Sequence, residues 1–248
     1  MVASTVIDAA GLHYSELNRT LHSAVHLGER RIELRNVHGQ RYIGTNLRGA
    51  VELEIYGTPG NDLGAFMDGP RIVVHGSAQD GCGNTMNGGE IVVHGRAGDI
   101  TGLSARGGDI FIRDGVGYRA GIHMKEYEGK RPYLVVGGSA QDFLGEYMAG
   151  GVLVVMGLDR GAGEGQEAHF IGTGMHGGVI YLRGGVAPHQ LGREVGVSDL
   201  DDGDRAVLEE LVGRYASYFE RDADEILAGR FQKLFPLYLR PYGKLYTY

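Results

Sequence analysis

Aliphatic residues recur in pairs, two positions apart, along most of the chain, and glycine-rich stretches separate the pairs. Positions 70–107 hold two matching segments, closed by Gly88 and Gly107, which lie 107 − 88 = 19 positions apart. A pair at i and i+2 places both side chains on one face of a short strand. Such a period is typical of a solenoid, whose units bury their apolar faces against their neighbours. The eight pairs are Ile32/Leu34, Leu53/Ile55, Ile72/Val74, Ile91/Val93, Ile110/Ile112, Leu134/Val136, Leu153/Val155 and Ile180/Leu182.

Two glycine positions complete the repeat. One glycine closes each unit, at Gly49, Gly69, Gly88, Gly107, Gly150 and Gly177. Another stands five positions earlier, at Gly44, Gly64, Gly83, Gly102, Gly145 and Gly172. Gly121 holds the earlier position of a coil whose closing glycine is replaced by an insertion at 125–131. Because glycine permits positive φ and close backbone approach, we expect two short strands per unit, separated by glycine corners.

A methionine-rich position lies just before the closing glycine. Five of the seven methionines of the chain occupy it, so we expect it to be a second buried phase of the repeat. Its members are Leu47, Met67, Met86, Ala105, Met124, Met148 and Met175.

The pattern predicts an all-β fold, a right-handed parallel β-helix of about eight coils with flanking helices. We divide the chain into a helical cap (1–29), the β-helix (30–197) and a segment of helices with an aromatic tail (198–248). A helix is expected over 15–26 with Ser15 as its N-cap, and another after Val197. Asp222 and Glu225 predict a capping box for a third helix. We expect the tail to lie extended on the solenoid or on a partner.

Composition narrows the class of protein. Glycine accounts for 44 of 248 residues without a collagen-like triplet, so the glycine serves corners and not a triple helix. The net charge of −7 and the scattered basic residues disfavour a nucleic-acid surface. A single cysteine excludes an internal disulfide framework and an all-cysteine cluster held by this chain alone. Neither a signal-peptide pattern nor an apolar run of membrane-spanning length is present, so we expect a cytoplasmic location.

Three segments carry a resemblance to a known family. GSAQDFLGEYMAGG at 138–151, FIGTGMHGGVIYL at 170–182 and HGQRYIG at 38–44 resemble the GXGXG-motif β-helix domain of the glutamate synthase large (alpha) subunit. The resemblance covers about residues 30–190. It implies a stand-alone structural subunit in glutamate biosynthesis, without catalytic, cofactor-binding or metal residues of its own. FMN and iron–sulfur are then expected on partner subunits, which supply the FMN synthase and the glutamine amidotransferase, and a homo-oligomer is a further option.

Two other functions remain open. A related repeat forms the C subunit of formylmethanofuran dehydrogenase, and the glycine spacing permits an architectural role of that kind. An autonomous β-helix protein acting on carbohydrate would need a cluster of carboxylates on one outer face. Glu33 and Glu54 are followed down their column by Val73, Val92 and Phe111, which does not provide such a cluster.

One column of the predicted solenoid is a candidate interface. The residue between the two buried members of each strand must point outward, and six successive ones are apolar. We expect another subunit, a second copy or the tail at 231–248 to cover this stripe, because monomers usually avoid such exposed patches. The outward stripe consists of Val73, Val92, Phe111, Val135, Val154 and Tyr181.

Other residues permit both a functional and a structural interpretation. His75 and His94 are expected to stack on adjacent coils, where a surface ladder is favoured over a metal site. Cys82 falls in an apolar column and is expected to be buried. The GAGEG run at 161–165, in the second insertion (159–169), is expected to be a flexible loop because it lacks the strand–turn–helix context of a nucleotide site. Five polar residues near corners could line an ammonia or substrate channel, although bonds to neighbouring backbone are favoured: His123, Glu146, Tyr147, His169 and His176.

Overall fold

Nine strands in parallel register form the spine of the protein. The structure is a computed structural model that describes residues 5–161 and 164–238. The parallel strands are β1 (Thr5–Asp8), β2 (Arg31–His38), β3 (Glu52–Thr58), β4 (Asp68–His75), β5 (Gly88–Val93), β6 (Gly108–Ile112), β7 (Pro132–Val136), β8 (Ala149–Val155) and β9 (Gly177–Arg183). After β10 (Val195–Ser198), strand β11 (Phe231–Pro236) joins β9 antiparallel, and β10 joins β11 on its other side. This architecture confirms the predicted parallel β-solenoid with flanking helices.

The aliphatic pairs set the register of the ladder. Ile72 pairs with Ile91, Ile91 with Ile110 and Ile110 with Leu134, so identical phases of the repeat stack directly. These side chains are almost fully buried within the solenoid. The methionine position is also buried from Leu47 to Met175, as the pattern predicts.

Two features of the predicted coil are corrected. The solenoid has about six turns and not eight. Each aliphatic pair marks one strand, and the first and last of these strands do not have a complete coil on both sides, so the number of pairs exceeds the number of turns. The second half of each unit is a turn and not a strand, since all strands within residues 5–161 and 164–238 belong to one 11-stranded sheet. In this second half of each unit, three residues at alternate positions have positive φ, and a β-strand does not contain such a run of left-handed residues. Hydrogen bonds still join the turns of successive coils, for example Asn46 N to Ala65 O at 2.7 Å.

The earlier glycine of each turn is the middle one of its three positive-φ residues, and it faces the core. At Gly83, φ is +72°, and a Cβ there would lie 2.3 Å from Ile110 Cδ1 on a later strand. A side chain at this position would therefore meet both backbone strain and a clash with the core. The other six glycines of this position have φ between +65° and +74°, and a Cβ on any of them would lie 2.6 to 3.2 Å from a buried aliphatic side chain. They are Gly44, Gly64, Gly102, Gly121, Gly145 and Gly172.

The closing glycine has a role that changes along the solenoid. In the first coils it has positive φ itself, +79° at Gly49 and +111° at Gly69. In the later coils positive φ belongs to the next residue, such as Gly178, and a Cβ on Gly177 would lie 2.1 Å from the Ala149 carbonyl oxygen. The closing glycine is therefore required there for close approach between coils. A Cβ would likewise lie 2.5 to 2.7 Å from an atom of the preceding coil at Gly88, Gly107 and Gly150.

Helix α1 (Tyr14–His26) packs against the apolar core through Leu17 and Leu21. Its N-cap is His13, whose ring accepts a hydrogen bond from Ser15 N, so the prediction of Ser15 as N-cap is wrong by two residues. The Asn18 side chain donates to the Arg41 carbonyl at 2.8 Å and ties α1 to the first coil.

Helices α2 (Asp202–Phe219) and α3 (Ala223–Leu227) follow the last coil. A capping box of Asp201 and Asp204 begins α2, and the Asp222 side chain caps α3 by accepting from Glu225 N. No helix in the described part of the chain has both the length and the apolar character to cross a membrane.

The two insertions leave the ladder between coils. In the first, Lys130 reaches back to Asp68, with Nζ 3.0 Å from Oδ1, and so lies along the side of earlier coils. The second includes residues 162 and 163, so part of the GAGEG run lies outside the described residues.

Candidate functional site

The outward stripe is buried inside the chain. Its six residues are between 0% and 5% exposed. They form a second apolar cluster with Leu208, Leu211, Val212 and Tyr215 of α2. The cover is therefore the helical segment of the same chain, and not a partner, a second copy or the aromatic tail alone. The stripe lies on the face opposite to the inner core, as its phase predicts, but its predicted use as an intermolecular interface is corrected.

An ionic network fastens α2 to the strands beside the stripe. Arg214 bridges Glu90 at 2.8 Å and Asp109 at 2.6 Å, and the Tyr218 hydroxyl donates to Glu90 at 2.7 Å. Burial raises the pKa of Asp109 despite its pairing with Arg214. Burial also opposes ionisation of Glu90, but hydrogen bonds from Tyr218, Arg214 and Arg71 outweigh it and lower the pKa of that carboxyl. The network fixes the helix in one position on the solenoid.

A second buried polar group lies where α2 begins. The Tyr181 hydroxyl donates to Asp204 Oδ1 at 2.6 Å, and Lys233 of β11 donates to Asp204 Oδ2 at 2.9 Å. Burial and the adjacent carboxylate raise the pKa of Tyr181. Burial opposes the charge of Asp204, but the bonds from Lys233 and Tyr181 lower the pKa of its carboxyl. Both networks are structural, because their groups are engaged with one another.

The glycine turns present a different face, which we call the corner surface; it is exposed towards both ends of the solenoid and buried or half-buried between positions 81 and 104. It consists of the two positive-φ positions that flank the earlier glycine of each turn, stacked in two columns. The first column is Tyr42, Asp62, Gly81, Ile100, Arg119, Phe143 and Phe170, and the second is Asn46, Phe66, Thr85, Ser104, His123, Tyr147 and Gly174. The residue before each first-column position forms the rim of this surface: Arg41, Asn61, Asp80, Asp99, Tyr118, Asp142 and His169.

Exposed aromatic side chains concentrate on the corner surface and its rim. Among the described residues, five of the seven exposed Phe and Tyr side chains lie there: Tyr42, Phe66, Tyr118, Tyr147 and Phe170. Tyr147 is 46% exposed and Phe170 is 53% exposed. They form two groups, Tyr42 with Phe66 in the first two turns and Tyr118, Tyr147 and Phe170 in the last three, and exposed aromatic groups of this kind are typical of an interaction site.

The stacking of these side chains makes two short ladders. The Arg119 guanidinium lies 4.4 Å from the Phe143 ring centre, and Phe143 stacks on Phe170 at 4.9 Å between ring centres. In the neighbouring column, His123 stacks on Tyr147 at 5.4 Å. Successive coils thus hold these side chains in fixed positions without burying them.

Backbone strain distinguishes the corner surface from ordinary turns. Twelve of the fifteen non-glycine residues with positive φ in the described chain lie in its two columns. A left-handed conformation costs a side-chain-bearing residue roughly 1–2 kcal/mol, and glycine or asparagine adopts it more easily. Phe143 has φ of 64° and Tyr147 of 52°, although both are bulky. The conformation belongs to the turn itself, because Asn46, Thr85 and Ser104 have positive φ at the position equivalent to Tyr147, and it fixes where the Tyr147 side chain leaves the backbone.

The structure separates the five polar residues predicted near corners. It brings His123, Glu146 and Tyr147 together, with the Glu146 carboxylate 3.1 Å from the Arg119 guanidinium. His169 lies on the rim, 3.6 Å from Asp142. His176 lies with Nδ1 3.2 Å from the Gly174 carbonyl oxygen.

The histidine pair and the cysteine that the sequence singled out have structural roles. His75 stacks on His94 at 5.4 Å and on Tyr56 at 4.5 Å, which confirms the predicted ladder. Within the described chain no three His, Cys, Asp or Glu side chains are grouped as a metal site requires. Cys82 is fully buried, as predicted, and burial raises the pKa of its thiol to about 12.

Sequence reasoning did not identify Phe143 and Phe170 as members of a site. A signal was available, because bulky or polar residues stand four positions apart in each turn, at 42/46, 62/66, 119/123 and 143/147. That spacing acquires meaning only when both positions are known to have positive φ and to point outward.

Comparison with known proteins identifies the module. A family model described as the GXGXG motif matches residues 29–240. The chain belongs to the GXGXG-motif family. This is the domain found in the glutamate synthase large subunit, as the sequence resemblance predicted. The GXGXG match extends beyond the coils into α2, α3 and β11, so the helices that cover the outward stripe are part of the family's module.

A relative of similar length to this GXGXG protein comes from Methanocaldococcus jannaschii. It is an uncharacterised protein, 47% identical over 250 residues, and the match covers 98% of this chain and 96% of the relative. The two chains are therefore similar over nearly their whole length.

Proposed function

We propose that this chain is a non-catalytic β-helix scaffold subunit of a glutamate-synthase-like amidotransferase and oxidoreductase complex. In this function it holds the glutaminase and FMN synthase subunits together, and those partners carry the FMN and the iron–sulfur centres. The GXGXG family match supports the relationship to glutamate synthase. The observation that carries the scaffold role is the corner surface, which holds exposed aromatic side chains in strained backbone positions.

The corner surface has the properties that a scaffold interface needs. Its turns are bonded to each other between coils, as in Phe143 N to His169 O at 2.9 Å and Tyr147 N to Thr173 O at 2.8 Å. A partner that binds here would meet rigid side chains, so little conformational entropy would be lost on binding. Aromatic and arginine side chains are also the residue types that contribute most to interface affinity.

Isolation of the assembled complex tests this proposal. The tagged chain, purified under native conditions from cells that contain its partners, should bring with it a flavin-binding synthase and a glutamine amidotransferase, identified by mass spectrometry. The complex should show flavin and iron–sulfur absorption, and the chain alone should show no absorption band above the aromatic region.

Two variants connect that result to the surface. The double variant Tyr147→Glu with Phe170→Glu should lose the partners, because it places two charges where apolar contact is expected. Tyr56→Glu is the matched control, since Tyr56 is also exposed but lies on the His75 ladder. Stoichiometric flavin on the isolated chain, or unchanged partner recovery by the double variant, would contradict the proposal.

A further inference from the structure

We propose that a cleft beside the C-terminal end of α2 binds a small carboxylate anion, and that the bound anion holds α2 on the solenoid. The cleft has a volume of about 270 Å³ and lies between the ends of strands β5 to β8 and the end of α2. None of its lining residues belongs to the corner surface or its rim, so the inference does not depend on the proposed function.

Three guanidinium groups converge on the cleft. Arg96 and Arg113 come from successive coils, and Arg221 follows α2. Arg113 donates to both carboxylate oxygens of Asp114, at 3.0 Å and 2.9 Å. The bond to Arg113 lowers the pKa of this carboxyl, and the charges of Arg221 and Arg96 lower it further. Both of those guanidinium groups therefore lie near the same carboxylate.

The cleft keeps an excess of positive charge. Within the part of the chain that the structure describes, Arg96 and Arg221 form no ion pair with a carboxylate. The cleft also contains Asp159, whose Oδ1 accepts from Ser139 Oγ at 2.7 Å. Three arginines and two aspartates leave an excess of 3 − 2 = 1 positive charge. An anion with one net charge balances this excess, whereas a phosphate group carries about −1.5 to −2 charges.

The Gly115 amide provides a second, independent signal. Positions 77, 96 and 115 are equivalent, since 96 − 77 = 19 and 115 − 96 = 19. Arg96 N donates to the Ser77 side chain at 3.2 Å, but the arginine at position 96 offers Gly115 N no acceptor. Gly115 is buried, and within residues 5–161 and 164–238 its N–H donates no hydrogen bond. Because a buried N–H without an acceptor is rare and costly, a ligand oxygen suits this position.

A carboxylate has the shape and the charge that these donors require. The planar guanidinium fork matches the two oxygens of a carboxylate, and such charge-assisted pairs are among the stronger hydrogen bonds. The same oxygens can accept from Gly115 N. Leu158 and the ring of Tyr215 line another part of the cleft, which suits a short carbon chain. The chemistry therefore indicates a small organic carboxylate with one net negative charge.

The cleft exists only while α2 is docked. Its wall includes Tyr215 of α2, whose hydroxyl donates to the Arg113 carbonyl at 2.7 Å, and Arg221, which follows the helix. An anion bound to both Arg96 and Arg221 joins a coil to the end of α2. A ligand that binds one state and not the other shifts the equilibrium towards the state that it binds. The bound carboxylate should therefore oppose the release of α2.

Calorimetric titration of the full chain with L-glutamate tests the site, because this probe is small and carries one net negative charge. At a concentration of about ten times its Kd, L-glutamate should make opening of α2 about tenfold less favourable, which hydrogen exchange of the α2 amides measures. Sodium chloride at equal ionic strength should have no such effect. Absence of binding, or equal exchange with and without L-glutamate, would overturn the proposal.

Paired arginine variants connect the binding to the cleft. Arg96→Gln with Arg221→Gln should weaken L-glutamate binding by about tenfold or more, because charge-assisted hydrogen bonds are lost. Arg19→Gln with Arg205→Gln is the matched control, since both of these arginines are also exposed on the surface and the charge change is the same. The control should bind as the parent chain does. Unchanged binding by the first pair would contradict the proposal.

Arg96→Ser tests the role of the Gly115 amide. It places a hydroxyl where Ser77 has one in the preceding coil, and so gives Gly115 N an acceptor without a ligand. The free variant should remain as stable as the parent chain in urea unfolding, and its L-glutamate binding should be lost. Parent-like binding by Arg96→Ser would show that the anion does not occupy this position, and the assignment would be wrong.

Inorganic phosphate distinguishes the class of anion. It should bind the full chain more weakly than L-glutamate, because its charge exceeds the excess in the cleft. Tighter binding of phosphate, with the same dependence on Arg96 and Arg221, would overturn the assignment of a carboxylate. All of these measurements use the isolated full chain, so their outcome is independent of whether partner subunits bind.

Discussion

Phe111 provides the sharpest test of how α2 is held on the solenoid. Its ring is fully buried in the outward stripe, contacts Tyr218 edge-on at 5.1 Å and lies 4.7 Å below the Arg214 guanidinium. Replacing a buried Phe by Ala costs about 3–5 kcal/mol through lost transfer energy and a residual cavity. Loss of the edge contact and the cation–π contact places Phe111→Ala near the middle of that range or above. We expect α2 docking to weaken by about 4 kcal/mol.

Native-state hydrogen exchange measures this change where it occurs. The α2 amides should exchange through an opening reaction that becomes roughly a thousandfold more favourable, since every 1.4 kcal/mol is a factor of ten. The amides of β5 and β6 should be much less affected, because the inner face of those strands keeps its own core. Phe170→Ala is the matched control: it removes the same side chain from the exposed corner surface and should cost about 1 kcal/mol or less. If the two variants change α2 exchange equally, the docking argument is wrong.

Three further predictions concern the core, a buried carboxylate and the cysteine. Met86→Asp puts a charge into the core and should lower stability by several kcal/mol in urea unfolding, whereas Asn84→Asp, which at a half-buried position replaces the hydrogen bond to Asp62 by two facing carboxylates, should cost less, about 1–2 kcal/mol. Folding lowers the pKa of Asp204, so its ionised carboxylate stabilises the folded chain above the usual pKa of 3.8, and this stabilisation is lost as the pH falls below that value. When the pH is lowered from about 6 to about 3, Asp204→Asn should therefore lose less stability than the parent chain loses. The Cys82 thiol, with its pKa raised to about 12, should react with a thiol reagent at about pH 8 only after unfolding, and prompt reaction of the native chain would show that the site is open.

Periodic features could be predicted from the sequence because they have local causes. The pair Ile91/Val93 and its equivalents fix which face of each strand is inside, since side chains alternate along a strand. Phase alone places Met86 and Cys82 in the core, and both are buried. The same phase correctly assigns Val92 and Phe111 to the opposite face of the strand.

The state of the backbone between strands was harder to infer. The sequence suggested a second strand before each closing glycine, but the turns contain left-handed residues with large side chains, such as Phe143 and Tyr147. Bulky residues are intrinsically unfavourable in that conformation, so no local propensity predicts it. The stacked coils impose it, because each turn must form hydrogen bonds with the turns of its neighbours.

The amino-acid sequence by itself determined the repeat, the parallel ladder, the inner core and the family, because a period of 19 residues leaves one way to bury every aliphatic pair. It did not determine which surface of the solenoid stays open. That was decided by α2, which is distant in sequence from the strands it covers and is placed by contacts such as Arg214 with Glu90. An apolar stripe indicates only that something must cover it, and the identity of the cover depends on the three-dimensional path of the chain. Once α2 occupies the stripe, the corner surface with Tyr147 and Phe170 is the exposed aromatic face that remains in the described chain.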